Sequence, residues 1–113
     1  MSNLDALRAS MTAKASAVGL KFDDNKTQFS LVPPLAHEAH AKVLTFGAKK
    51  YSPDNWRKVD DANTRYLNAA LRHIHAYQCG EQLDQESNLP HLASAIASLS
   101  FMLELDLEAD RND

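Results

Sequence analysis

Residues 72–91 read RHIHAYQCGEQLDQESNLPH and gather three of the five histidines, the only cysteine and the carboxylates Glu81, Asp84 and Glu86. Carboxylate oxygens with an imidazole nearby suit Mg²⁺ or Mn²⁺ better than they suit a soft metal. Glu38, Glu81, Asp84, Glu86 and His91 are therefore the candidate ligands. Carboxylates from separate elements that meet at one end of a helical bundle are a recurrent way to hold divalent cations. No E-x-x-E or E-x-x-D pair falls on a predicted helix, so the acidic loop itself must carry most of the donors. Glu38 also has a plainer reading, a surface ion pair with Lys42 four residues on.

A second group lies in residues 49–61, KKYSPDNWRKVDD, where Lys49, Lys50, Tyr51, Asn55, Trp56, Arg57 and Lys58 crowd a turn-rich span. Beside an acidic cluster, such a loop offers what a nucleoside triphosphate needs. The metal bridges phosphates, Lys and Arg neutralise a leaving pyrophosphate, and an aromatic ring packs on the base. Trp56, the only tryptophan, reads either as a core plug or as a stacking surface. Arg65 and Arg72 share one helical face and could both address an anion. His73 and His75 cannot point the same way on a helix, and each reads most simply as a satisfied or solvated side chain.

The elements that must position these groups are helical. Residues 3–18 form a weak helix, Asp23-Asp24-Asn25 signals a turn, and residues 22–32 read as an extended segment anchored by Phe22, Phe29, Leu31 and Val32. A helix over 34–48 carries the stripe Leu35, Ala39, Val43 and Phe46; one over 63–78, capped by Asn63 or Thr64, carries Leu67, Ala70, Leu71, Ile74 and Tyr77. Pro90 opens a last helix over 90–107, apolar nearly all round, with His91, Ser94 and Ser98 as its polar strip and a fraying acidic tail from Glu104. A helix of that kind is central or lies in a subunit interface. The expected fold is all-α: a small bundle of three main helices plus the weak N-terminal helix, with an arm over 1–19 and a domain over 20–113, assembled as a homo-oligomer.

Composition narrows the function. With 113 residues, a net charge of -3 and a pI near 5.9, the chain lacks the basic face of a nucleic-acid polymer binder. A lone Cys79 permits no intrachain disulfide and no cysteine-based zinc cluster. The longest apolar run, 92–107, is broken by serines and acids and is too short to cross a bilayer, so no membrane partner and a cytoplasmic location are expected. There is no Gly-rich phosphate loop.

Four stretches in this order, KFDDNKTQFSLVPP, VLTFGAKKYSPDNW, RYLNAALRHIHAYQCGEQLDQES and LPHLASAIASLSFML, resemble the phage-type N-terminal domain of dATP/dGTP diphosphohydrolases, a family associated with MazG-like nucleotide pyrophosphohydrolases. The resemblance implies metal-dependent cleavage of dGTP or dATP to monophosphate and pyrophosphate, within phage control of the host nucleotide pool. Mg²⁺ or Mn²⁺ would be the cofactor. Carried onto this sequence, it implies Glu38 and His73 as catalytic groups and Lys49, Lys50, Tyr51, Asn55, Trp56 and Arg72 as nucleotide-binding groups. Glu38, Glu81, Asp84, Glu86 and His91 would be the metal ligands. Two other classes fit the same residues: a nucleotide-binding module or sponge without turnover, and a helical host-interaction protein.

Overall fold

A proline in the first helical turn forfeits no backbone hydrogen bond, and Pro34 opens the first long helix of the computed structural model. The structure describes residues 3–5 and 18–112. Its long helices are α1 (Pro34–Lys50), α2 (Ala62–Gln78) and α3 (His91–Asn112), with short 3-10 helices at Phe29–Leu31 and Asn55–Lys58. No strand occurs among the described residues, so the all-α expectation holds.

The chain divides into two compact units, Met1–Leu31 and Val32–Asp113. In the first, residues 3–5 are helical, and most of the predicted 3–18 helix lies outside the described residues. The turn signalled by Asp23-Asp24-Asn25 is present, closed by the Lys26 N–H on the Asp23 carbonyl at 3.0 Å, but the extended segment expected around it is replaced by the 3-10 turn at Phe29–Leu31. Phe29 and Leu31 are 80% and 74% exposed and anchor nothing there. The segment has no partner strand, and turn chemistry prevails.

In the second unit α2 and α3 pack most extensively, through small side chains. Ala70, Ala93, Ala95 and Ala97 are buried, with Ser94, Ser98 and His91 among them, and no large side chain of the described residues is fully buried. The predicted core stripe of α2 is corrected accordingly. Only Ala70 is buried, while Leu67, Leu71, Ile74 and Tyr77 are 41–53% exposed. Leu35, predicted to face the core from α1, is exposed as well. Helical period marks an apolar face but does not say which chain covers it.

Two boundaries also differ from expectation. α2 starts after Asp61, whose backbone is left-handed (φ 51°), with no side-chain cap from Asn63 or Thr64. The acidic tail is helical through Asn112 rather than frayed. Arg57 Nη1 donates to both carboxylate oxygens of Glu108, at 2.6 and 2.8 Å, and ties the tail to the Asn55–Lys58 turn. That turn is fixed by rings: Trp56 stacks on Phe101 of α3 with centroids 4.6 Å apart, Tyr66 of α2 meets Phe101 at 5.2 Å, and the Tyr66 hydroxyl donates to the Trp56 carbonyl. α1 is linked to α3 by His40 Nε2, 3.1 Å from Ser100 Oγ. The Ser100 hydroxyl already donates to the Ala97 carbonyl, so His40 is the donor.

Phe101 thus joins three elements. Phe101→Ala should lower stability by about 2–3 kcal/mol in urea unfolding and shift Trp56 emission to the red. A loss below about 0.5 kcal/mol would show that the stack does not hold the turn.

Candidate functional site

The loop after α2 is built on one carboxylate. The chain leaves the helix at Gly80, whose φ of 94° only glycine adopts without strain. Asp84 Oδ1 then accepts the N–H groups of Glu86 and Ser87 at 2.8 and 3.1 Å, an Asx turn. Backbone bonds from Asp84 N–H to the Leu89 carbonyl and from Asn88 N–H to the Asp84 carbonyl close it, both at 2.8 Å. Asn88 takes φ 59°, which asparagine tolerates better than most residues. His91 N–H donates to the Gln82 carbonyl at 2.8 Å, so the first residue of α3 is registered against the loop.

With Oδ1 occupied, Asp84 turns Oδ2 toward His73 Nδ1, 3.9 Å away. His73 Nδ1 in turn lies 2.9 Å from His91 Nδ1. His73, Asp84 and His91 each place one ligand atom within 4.8 Å of the others, the one such group found among the described residues. His91 is buried, and its Nε2 comes within 3.2 Å of Glu81 Oε1 without the alignment of a hydrogen bond, which leaves a buried nitrogen unsatisfied. Burial holds the His73 imidazole below its ordinary pKa, with His91 and Arg72 adding to the effect and Asp84 opposing it. For Asp84, burial pushes the carboxyl up. The Ser87 and Glu86 amides and the two histidines outweigh this and hold it below the usual carboxylate range. The result is an ionised Asp84 carboxylate facing a His73 imidazole that burial holds in its neutral form, and these are the forms in which the two side chains bind a cation.

Other predicted site residues lie apart from this group. Glu38 sits in an exposed pair with Lys42, 3.3 Å away. Glu86 pairs with Lys50, whose ammonium also lies over the Tyr51 ring. Trp56 has Phe101 against one face and the Arg57 guanidinium 4.3 Å from its centroid, so the plug reading describes it better than a bare stacking platform.

Two clefts of about 480 Å³ each flank Tyr51, Asn55 and Tyr66, which line both. One is apolar, with Val43, Phe46, Trp56 and Phe101 in its walls. The other is polar, with Arg65, Asn68 and Arg72. Of these, Asn68, Tyr66 and Phe101 escaped the sequence reading; the i, i+3, i+7 spacing of Arg65, Asn68 and Arg72 was the available signal for the polar wall. Lys49 lines neither cleft.

A helical domain with a carboxylate–imidazole cluster and a basic, aromatic double cleft is the class that fold and site define. More particularly, the chain belongs to the family described as dATP/dGTP diphosphohydrolase, N-terminal, whose profile matches residues 16–113. It is 36% identical over 89 residues to a dATP/dGTP diphosphohydrolase of Salmonella phage PMBT28. That alignment covers 77% of this chain and 29% of the relative, so the chain spans under a third of the relative's length. No solved structure matches it significantly. No helix among the described residues is long and apolar enough to cross a membrane.

His73 and His40 both bind a proton less readily in the folded chain than in the unfolded one. The unfolded chain therefore takes up protons first on acidification. Their contribution is complete above about pH 6.5 and is lost as the pH falls through the lowered folded values. Urea unfolding at pH 7 and pH 5 should show this loss, and His73→Gln should flatten it. An unchanged slope in His73→Gln would contradict the assigned environment.

Proposed function

We propose that this domain hydrolyses a purine deoxynucleoside triphosphate, dGTP or dATP, to the monophosphate and pyrophosphate. The observation that carries the reading is the convergence of His73, Asp84 and His91 in a chain whose family is named for that activity. In the host cytoplasm this would reshape the nucleotide pool for a phage.

The donors fit a divalent cation: Asp84 is already ionised and oriented, and the two Nδ1 atoms approach each other as ligands of one ion would. Two imidazoles with one carboxylate favour Mn²⁺ over Mg²⁺, since Mg²⁺ prefers oxygen. When bound, the cation supplies charge neutralisation at the phosphates and acidifies water. Glu81 would accept the His91 Nε2 proton in a hydrogen bond and so fix the ring, the usual outer partner of a ligating histidine. Its other oxygen has no protein partner among the described residues and is suited to orient the water that attacks the α-phosphorus. We assign that role to Glu81 in place of Glu38, which stays with Lys42. His73 becomes a ligand rather than the base. Tyr51, Asn55 and Arg72 face the clefts and contact nucleotide; Lys50, paired with Glu86, braces the loop.

We also propose that the domain works as a homo-oligomer. Leu92, Ile96, Leu99, Leu103 and Leu107 form one exposed stripe along α3, and Leu67, Leu71 and Ile74 another along α2. Exposed apolar stripes on two helices suit an interface, and a second copy offers the same stripes in return.

Incubation of the chain with each dNTP and NTP, with Mg²⁺ or Mn²⁺, tests the activity. Pyrophosphate release from dGTP or dATP is expected, with Asp84→Asn and His91→Gln reducing it by about 100-fold or more and Glu81→Gln by about 10- to 100-fold. Binding without release would favour a sponge instead. Leu99→Glu should convert the oligomer to monomer in light scattering, and an unchanged mass would count against the interface.

A further inference from the structure

Arg65 and Asn68 in the polar cleft have no role in the reading above. Arg65, Asn68 and Arg72 stand in one row on α2, turned away from the Leu67–Leu71–Ile74 stripe, with Tyr51 and Asn55 closing the opposite wall. No acidic side chain lines it. Among the described residues Lys42, Lys50 and Arg57 each meet a carboxylate, but Arg65 and Arg72 meet none. Two guanidiniums on one wall, with no acidic side chain lining the cleft, leave it net positive and suited to an anion. Their fixed N–H forks, with two side-chain amides and a phenol, offer many donors in a volume typical of a ligand site. A single carboxylate would leave most of those donors unused, whereas a chain of phosphates presents oxygens along the row.

We infer that the Arg65–Asn68–Arg72 cleft is a polyphosphate subsite, and that Arg65 and Asn68, rather than Lys49 and Lys50, bind the terminal phosphates. The inference rests on the nucleotide reading for its ligand class. The neighbouring apolar cleft shares Tyr51, Asn55 and Tyr66 with this one, so a single ligand with a flat ring at one end and a polyanion at the other spans both. Lys49 lines neither cleft, and Lys50 is held by Glu86. Binding here is charge recognition, with no covalent step.

Calorimetric titration of the whole chain with inorganic tripolyphosphate, in EDTA so that no metal takes part, tests it. The wild-type chain should bind. Arg65→Ala and Arg72→Ala should each weaken binding about tenfold or more, Arg65→Lys should restore part of the loss, and Lys58→Ala, which removes equal charge outside the cleft, should change it less than about twofold. Absence of tripolyphosphate binding, or an equal loss in Lys58→Ala and Arg65→Ala, would overturn the subsite. Arg65-dependent binding by a chain that cleaves no dNTP would leave the subsite standing and remove only the hydrolase reading.

Discussion

The close approach of α2 and α3 is the constraint on which the rest depends. Alanine and serine at the contact bring the two backbones together, and large side chains cannot enter. Two consequences follow. The leucines and isoleucines are displaced to the outer faces, where one chain does not cover them. And the N-terminal end of α3 is drawn against α2, so that His91, buried there, reaches His73. Folding of the single chain therefore relies on ring stacking around Phe101, on the Arg57–Glu108 pair and on modest alanine burial, a slight core for a domain of this size.

The acidic loop supplies what the helices lack. A row of three carboxylates has no built-in direction, but the loop gives each a different partner. Asp84 is locked by two amides, Glu81 stands by His91, and Glu86 is taken by Lys50. Desolvation alone would raise the Asp84 pKa. The amides and imidazoles reverse that, so the ionised form is held in place by the fold itself. This preorganisation separates a site from a solvated acidic turn, and it costs little because the loop's backbone bonds are satisfied within it.

Much of this was legible in the sequence. Apolar period and Pro90 located the long helices to within a few residues, except that the last one runs on to Asn112. The polar strip of His91, Ser94 and Ser98 is present but buried: the serines are small enough to enter the helix contact, and His91 is drawn in at the N-terminal end of α3. Which carboxylates converge was not legible. The i, i+4 spacing to Lys42 already set Glu38 apart, but Glu81, Asp84 and Glu86 are equivalent as composition, and only the register of the loop against α3 distinguishes them. Nor does any spacing rule bring His73 to His91, since their meeting depends on the tertiary approach of two helices. Arg65 and Arg72 were visibly on one face, yet their lack of acidic partners, which gives them meaning, exists only in three dimensions.

We propose that His73, Asp84 and His91 together hold one divalent cation. X-ray absorption at the manganese edge of the Mn²⁺-loaded chain tests it most directly. Two imidazole ligands are expected in the coordination shell, with one lost in His73→Gln and one in His91→Gln. A shell made only of oxygen, unchanged by either substitution, would contradict it.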